Sequence, residues 1–308
     1  MKLSEISDFI AIAETGSIRA AARQRGVTAP AMTQSIARLE EKLHVPLVTR
    51  TTKGVVLSDY GLAFLIRARL IVSEVQKSMD EMAQMGGQGH GQITFGTSMT
   101  PASTVIPHAI ADFRRQRPEV RLHIIAGMFH EHLPRIRSGV MDFAIGPVPD
   151  DGLGADFQVE KLFQNDLVLT VRKESPYAKA KSLAELTKAD WILGGPSSHG
   201  PGSAVIDMFE RNGYAPPRVM VQSGSLAVVQ SLLLSSDMIC ALPRQTISSE
   251  PLCRHVDIID VKETMPTYTV SLFYRIDSPL SLVASLLATL VRRHAHYWSS
   301  DMGQTKKP

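Results

Sequence analysis

Three stretches of the sequence place small hydroxyl residues and glycine directly before a segment with helical periodicity. They read GTSMTPAS (96–103), GGPSSHGPGS (194–203) and QSGSLAVV (222–229). The first backbone N–H groups of a helix have no partner inside the helix, and together with hydroxyl groups they can bind a carboxylate, sulfonate or phosphate. These residue types therefore favour the binding of a small organic anion.

The candidate ligand-binding residues come from these stretches and from the end of a strand predicted at VRLHIIAG (120–127). They are Ser98, Met99, Thr100, Met128, Phe129, His199, Gly202 and Ser223. Met128 and Phe129 offer apolar walls that suit an aromatic group. Each hydroxyl also has a structural alternative, because Ser and Thr before a helix commonly cap it, and Thr100 is predicted to cap a helix that begins at Pro101.

The residue pattern does not support metal binding or catalysis. His130 and His132 are two positions apart, so on a helix they face different sides and serve one ion poorly. The 194–203 loop lacks the Gly-Lys-Ser/Thr ending of a nucleotide-binding loop, and no G-x-S-x-G nucleophile motif occurs. Cys240 and Cys253 are too few for a disulfide framework or for an unaided zinc site. We predict no metal, no cofactor, no catalytic residues and no enzymatic activity.

A second set of residues, near the N-terminus, suits contact with DNA. RAAARQRGVTAPAMTQSIARLEEKL (19–43) predicts two short helices that are separated at Gly26, with Thr28 capping the second. Two helices joined by so tight a turn form a helix-turn-helix, whose second helix presents its N-terminal side chains to the major groove. The alternative is a three-helix bundle with a solvated basic face.

Positive charge is concentrated in the same region. Residues 16–58 contain seven Lys or Arg and two Glu, whereas the whole chain carries a net charge of only +3. PLVTRTTKGVVLSDYG (46–61) predicts a β-hairpin wing that turns around residues 52–54. Arg50 and Lys53 of this wing are predicted to reach phosphates or the minor groove.

The elements that would position these residues fall into four segments. Residues 1–58 form the DNA-binding domain, and 59–90 contain a long helix (about 59–84) followed by the glycine-rich hinge MGGQGHGQ. The long helix carries an apolar strip that suits a partner helix: Phe64, Ile71, Val75 and Met82. Residues 91–300 alternate strands and helices, which predicts parallel β-sheet, and 301–308 form a disordered tail.

The segment GSIRAAARQRGVTAPAMTQSIARLEEKLHVPLVTRTTKGVVLSDYG (16–61) resembles the N-terminal domain of LysR-type transcriptional regulators. The matching positions are Gly16, Ser17, Ala20, Ala21, Ala31, Ile36, Leu39, Glu40, Leu43, Pro46, Leu47, Arg50, Leu57 and Gly61. The similarity extends to about Trp298. It implies an all-α winged helix-turn-helix followed by a two-subdomain α/β effector domain, like type II periplasmic binding proteins, with the second subdomain at roughly 166–266.

The resemblance also assigns DNA-facing positions. They are Ser17, Thr28, Ala29, Pro30, Thr33, Gln34, Arg50 and Lys53. Three residues depart from the usual family pattern: Ala29 stands where glutamine is common, His44 replaces glycine and Val48 replaces phenylalanine. Because alanine cannot pair with adenine, reading of base edges then depends on Thr28, Thr33 and Gln34.

The sequence predicts a cytoplasmic, ligand-responsive transcriptional regulator. Its expected partners are double-stranded promoter DNA, a small organic anion, RNA polymerase and a second copy of the chain, as a homodimer or homotetramer. We expect no membrane segment, because the N-terminus has no secretory pattern and the apolar runs are too short. Two alternatives are a solute-binding or small-molecule enzyme domain fused to a helical domain, and a DNA-bound repressor whose cleft is vestigial.

Overall fold

The computed structural model of the protein describes residues 1–52, 54–86, 91–149, 152–195, 200–247 and 252–304, without the side chains of 50 and 300–304. The chain divides into two compact units. The first unit comprises residues 1–90 with 134–141, and the second comprises 91–133 with 142–308. Part of the predicted hinge, residues 87–90, lies outside the described residues.

The first unit begins with three short helices. Its elements are α1 (Leu3–Thr15), α2 (Ile18–Arg25), α3 (Ala29–Leu43), β1 (Val48–Thr51), β2 (Gly54–Leu57) and α4 (Asp59–Met85). Gly16 and Gly26 end α1 and α2 with φ of 63° and 67°. The hydroxyls of Ser17 and Thr28 accept hydrogen bonds from Ala20 N and Ala31 N, at 3.4 and 3.3 Å. The helix boundaries therefore follow the predicted caps.

The C-terminal end of α3 lies at His44, one of the three residues that depart from the usual family pattern. His44 ends α3 with φ of 57° and ψ of 25°, the left-handed conformation that glycine adopts most readily. The fold keeps this turn although the residue carries a Cβ. The usual glycine at this position thus has a conformational reason, and His44 meets the same requirement at some cost in strain.

Close packing joins the wing to α4. Ser58 donates from its backbone N to Leu47 O (3.0 Å) and from its hydroxyl to Pro46 O (2.6 Å). A Cβ at Gly61 would lie 2.1 Å from Leu47 O, so only glycine fits there. Phe64 follows one turn later and packs on Phe9 with ring centroids 5.4 Å apart. Phe64 thus belongs to the helix-turn-helix core, and its assignment to the exposed α4 strip is wrong.

The second unit contains the remaining elements. Its strands are β3 (Gly91–Thr97), β4 (Val120–Ala126), β5 (Phe143–Pro147), β6 (Phe157–Arg172), β7 (Asp190–Leu193), β8 (Arg218–Gln222), β9 (Ile239–Pro243), β10 (Val256–Ile259) and β11 (Thr267–Arg275). Its helices are α5 (Met99–Ser103), α6 (Val105–Gln116), α7 (Phe129–Arg137, whose last residues cluster with the first unit), α8 (Pro201–Arg211), α9 (Leu226–Ser235), α10 (Arg244–Ile247), α11 (Leu252–His255) and α12 (Leu282–Gln304).

The sheet runs β4-β3-β5-β11-β6-β9-β7-β8, with β10 also paired to β6. β3 is parallel to β4 and β5, and β7 is parallel to β8 and β9, as the alternating pattern predicts. Phe95, Phe143 and Phe113 belong to one hydrophobic core of this unit, and Trp191 and Phe209 belong to a second. The sheet therefore has two halves with separate cores, and the antiparallel strands β6 and β11 run between them.

Several element predictions need correction. The helix expected from Pro101 onward is broken at Thr104 (φ −120°, ψ −76°), whose hydroxyl donates to Thr100 O at 2.8 Å. The strand expected at 166–173 begins already at Phe157. In the first part of this strand, apolar and polar residues do not alternate regularly. The reason is that the β6–β11 register shifts at Val270/Ser271 and leaves an extra β6 residue between Lys161 and Phe163.

Two further differences concern a short strand and the C-terminus. β7, with only four residues, was not predicted. We expected a disordered tail from Asp301 onward, but α12 continues to Gln304. The apolar residues of this helix, up to Trp298, pack on the first core. Residues 305–308 lie outside the described part of the chain.

An ion pair ties α12 to β6. Arg292 donates from Nε to Glu160 Oε2 (2.6 Å) and from Nη2 to Oε1 (2.9 Å), and the Tyr274 hydroxyl donates to Oε1 (3.1 Å). The hydrogen bond from Arg292 lowers the pKa of the Glu160 carboxyl below its usual 4.5, against the opposing effect of burial. The charged form of Glu160 is thus favoured by folding.

We predict that Glu160→Gln lowers the free energy of unfolding at pH 7 by about 1 kcal/mol. Since the pKa is lowered in the folded state, this contribution is present above pH 4.5 and disappears as the pH falls through the lowered value. Thermal unfolding midpoints of wild type and variant should therefore converge in acid. The exposed Glu210 of α8 supplies the control Glu210→Gln, and a gap that widens below pH 4 would contradict the prediction.

Candidate functional site

The first candidate surface is the N-terminal part of α3. Thr28, Pro30 and Gln34 are exposed, while Ala29 and Thr33 are half-buried. Ser17, at the start of α2, is also half-buried, and its hydroxyl already serves as a cap. These positions leave the side chains of Thr28, Pro30 and Gln34 available to an incoming duplex.

The two wing residues can be placed only in part. Arg50 lies in β1 opposite Val55 of β2, and nothing beyond its backbone is described. Lys53 lies outside the described residues. The predicted hairpin itself is present, with Thr51 paired to Gly54.

A polar junction behind α3 was missed by sequence reasoning. Asp8 of α1 accepts a hydrogen bond from the Ser35 hydroxyl (2.6 Å) and one from Arg25 Nε (3.1 Å). These three side chains belong to three different helices, and both Asp8 and Ser35 are buried. The junction fixes how α3 is rotated against α1 and α2. Spacing along one helix could not reveal it, because its members are far apart in sequence.

The second candidate site is a cavity of about 30 Å³ in the second unit. Four predicted residues line it: Ser98, Met99, Thr100 and Met128. Nine others complete the wall: Pro147, Leu167, Gly194, Pro201, Gly224, Ala241, Leu242, Pro243 and Tyr268. The wall is mainly apolar, with three hydroxyl groups, and it combines residues from both halves of the sheet.

Ser98 follows directly after β3. Its backbone N donates to Ile145 O (2.9 Å), and it is only 5% exposed. A Cβ at Gly146 would lie 3.1 Å from the Ser98 hydroxyl, so Gly146 makes room for this side chain. Ser98 Oγ forms no hydrogen bond with another described residue. Ser98 therefore lines the cavity with a hydroxyl that can form a hydrogen bond with a ligand.

Thr100 does not cap a helix, contrary to the prediction, because α5 begins at Met99, two residues before Pro101, and Ser98 is its N-cap residue. The Thr100 hydroxyl lies instead 2.9 Å from the Tyr268 hydroxyl, which also accepts a hydrogen bond from Asn165 Nδ2 at 2.9 Å. Burial raises the pKa of Tyr268 to about 12, so this hydroxyl stays protonated at neutral pH. Tyr268 and Asn165 were missed, because the strand was predicted to begin only at Asp166 and because the contacts of both residues are with positions far away in sequence.

The remaining predicted residues do not line this cavity. Phe129 packs edge-on against His130, with ring centroids 5.7 Å apart, and Gly202 is buried inside α8. Ser223 accepts a hydrogen bond from Ser225 N (3.2 Å), which is the structural role that serines before helices commonly have. His199 lies outside the described residues.

Two larger hollows share walls with the 30 Å³ cavity. One, of about 490 Å³, is lined by Ser98 and Met99 and also by Ser103, Glu131 and Ser225. The other, of about 1,020 Å³, is lined by Pro147 and Tyr268 among others, and it contains the charged side chains of Lys161, Asp207 and Arg211. Among the described lining residues, cations thus occur in the larger groove and not in the cavity.

The backbone N–H of Met128, a residue predicted as an apolar wall, is not free for a ligand. It donates to Glu131 Oε2 at 2.8 Å, at the start of α7. The hydroxyls of Ser98, Thr100 and Tyr268 are therefore the main polar groups of the cavity.

The described residues provide no cluster of three or more His, Cys, Asp or Glu with metal-binding geometry. Within the same residues, no helix combines the length and the apolar character that a membrane crossing requires.

Comparison with known proteins covers nearly the whole chain. Residues 3–62 match the family model "Bacterial regulatory helix-turn-helix protein, lysR family", and residues 86–296 match the "LysR substrate binding domain". The transcriptional regulator TdcA of Escherichia coli (strain K12) is 26% identical over 297 residues, which is 96% of this chain and 94% of TdcA. GbpR of Azospirillum brasilense is 27% identical over 287 residues, 91% of this chain and 83% of GbpR.

Solved structures show the same fold. CbnR, a LysR family transcriptional regulator, superposes with a TM-score of 0.68 at 21% identity, over 96% of this chain and 99% of CbnR. Full-length CbnR in complex with its target DNA gives a TM-score of 0.69 at 21% identity, over 96% and 100%. With both domain models matched in order, the chain belongs to the LysR family of ligand-responsive, DNA-binding transcriptional regulators.

Proposed function

We propose that the 30 Å³ cavity and the two hollows beside it form the effector site, and that the effector is a small organic anion. The observation that carries this proposal is the Ser98 hydroxyl, which forms no hydrogen bond with another described residue and lines the cavity together with the hydroxyls of Thr100 and Tyr268. Hydroxyl donors stabilise a carboxylate oxygen. Lys161 and Arg211 of the adjoining groove add positive charge, and Met99 and Met128 supply apolar contacts for an aromatic ring.

The volume of the cavity bears on how a ligand would enter. At about 30 Å³ the cavity is small beside the adjoining hollows of about 490 and 1,020 Å³. An organic acid larger than the cavity would extend into these hollows, which share lining residues with it. The chain would then act by binding and by population shift, without catalysis.

The effector proposal predicts that one class of anion raises the thermal unfolding midpoint of the full-length protein. The panel would contain benzoate, succinate and glycerol 3-phosphate. Ser98→Ala should raise the Kd of the effective compound about tenfold, since a hydrogen bond to a charged group contributes roughly 1.5–3 kcal/mol.

Ser175→Ala is the matched control, because Ser175 is 6% exposed, close to the 5% of Ser98, and lines neither the cavity nor the hollows. Equal binding by the Ser98 variant and wild type would remove Ser98 from the site. No response to any member of the panel would argue against an organic anion as effector.

We also propose that Gln34 reads a base edge in the major groove, supported by Thr28 and Thr33, with Arg50 and Lys53 contacting the backbone. Gln34 is exposed on α3, and its amide can form two hydrogen bonds with adenine. The Asp8–Ser35–Arg25 junction keeps α3 in place behind it.

Gln34→Ala should weaken binding to a duplex selected by the wild-type protein from a random pool by about 1–3 kcal/mol. Binding to unselected DNA should be unchanged. Gln24→Ala, an exposed glutamine on α2, is the control. An equal loss on both kinds of DNA would assign Gln34 to the phosphate backbone. Fluorescence anisotropy at fixed salt measures both affinities.

The apolar face of α4 is proposed as the surface that pairs with a second copy. Ile71, Met79, Met82 and Met85 are exposed and Val75 is half-buried, and these positions recur every three or four residues on one side of the helix. A run of large apolar side chains along one long helix is typical of a helix–helix interface. The pairing would place two α3 helices on one DNA site, as dimeric helix-turn-helix proteins require.

Ile71→Lys with Val75→Lys should convert dimers to monomers in sedimentation velocity, because buried lysines in a helix seam are unpaired charges. Gln76→Lys changes an exposed residue on another face of α4 and serves as the control. If the double variant keeps the wild-type mass, the contact lies elsewhere. A regulator of this kind would act in the cytoplasm, where promoter DNA and RNA polymerase are found.

A further inference from the structure

The Tyr268 hydroxyl joins two buried side chains from different elements of the second unit. It lies 2.9 Å from Thr100 Oγ1 in α5 and 2.9 Å from Asn165 Nδ2 in β6. Thr100 is 4% exposed and Asn165 is fully buried. Both distances are those of normal hydrogen bonds, so the phenol connects the wall of the cavity to the sheet.

The connection lies where the two halves of the sheet meet. Tyr268 and Asn165 are direct register partners in the β6–β11 ladder, whose final pair is Thr267 with Asp166. From Leu167 onward β6 pairs with β9 instead. The Tyr268–Asn165 pair is thus at the crossing between halves, where a change in their relative orientation must be absorbed.

The hydrogen bonds at this crossing are incomplete. Asn165 Oδ1 is buried and has no hydrogen-bond partner among the described residues. Buried side-chain acceptors without a partner are rare in native proteins. Each one raises the free energy of the conformation in which it lacks a hydrogen bond. Among the described residues, Asn165 therefore holds the crossing through Nδ2 and not through Oδ1.

Thr100 and Tyr268 also line the 30 Å³ cavity. A carboxylate bound there can accept hydrogen bonds from these two hydroxyls, in competition with the bond that they share. Because α5 carries Thr100 and β11 carries Tyr268, loss of the shared bond releases α5 from the crossing strands. Occupancy of the cavity and the hydrogen bonding at the crossing are thus coupled through one phenol group.

We propose that Tyr268 is the positioning residue of the ligand response: its hydroxyl holds α5 to the crossing strands while the cavity is closed, and an entering ligand breaks the Thr100–Tyr268 bond. This inference rests on the proposed effector site. Loss of that bond allows β6 and β11, and with them the two halves of the sheet, to change their relative orientation. Tyr268 therefore governs whether occupancy of the cavity changes DNA binding.

The first test is hydrogen exchange on ligand-free, full-length Tyr268→Phe. Backbone amides of residues 163–168 and 266–271 should exchange about fivefold faster than in wild type, the effect expected for one lost hydrogen bond. Tyr274→Phe is the matched control, because Tyr274 lies on the same strand but donates to Glu160, away from the cavity. It should leave these two segments at the wild-type rate. Thr100→Val removes the same bond from its other end if the first variant does not fold.

The second test is the footprint on the selected duplex, with and without benzoate, succinate or glycerol 3-phosphate. Without any of these, Tyr268→Phe should give the footprint that wild type gives only with the effective anion. If Tyr268 had a purely structural role, Tyr268→Phe would change the stability of the protein and leave its ligand-free DNA footprint unchanged. Wild-type exchange rates at the crossing, or an unchanged ligand-free footprint, would overturn the inference. If no anion acts on wild type, the effector proposal fails, while the exchange rates still decide the role of Tyr268.

Discussion

The antiparallel ladder between β6 and β11 is the constraint on which the rest of the second unit depends. β6 pairs with β11 through Asp166 and then with β9 and β10 through Arg172. A single strand thereby contributes to both halves of the sheet. The hydrophobic cores on either side are separate, and the Tyr268 side chain of β11 packs against both of them. The cavity wall contains residues from both halves for the same reason.

Local signals accounted for much of the fold. In the first unit the caps at Ser17 and Thr28 and the left-handed glycines at 16 and 26 are decided by neighbouring residues, so the sequence predicts them well. The β/α alternation of the second unit follows from hydrophobic periodicity in the same way, and the fold class and the family are confirmed. Where periodicity was interrupted, as at the register shift of β6, prediction from the sequence was wrong about where the strand begins.

The candidate site was less predictable because it depends on contacts between distant residues. Strand ends located Ser98, Thr100 and Met128. The role of Tyr268 depends on contacts with residues that are far from it in sequence. Thr100 is 168 positions away and Asn165 is 103 positions away. The Asp8–Ser35–Arg25 junction has the same origin. No spacing rule along one helix or strand contains this information.

The Thr100–Tyr268 hydrogen bond in the cavity wall has a consequence for rates. If the effector binds only when this bond breaks, as we propose, its entry waits for the wall to open. The observed affinity is then the intrinsic affinity reduced by the fraction of open molecules. Association is slower than diffusion would allow, and once the walls close around the ligand, release also waits for opening. Such a protein would respond to the effector concentration averaged over the lifetime of its closed form. Changes in effector concentration that are shorter than this lifetime would leave transcription unchanged.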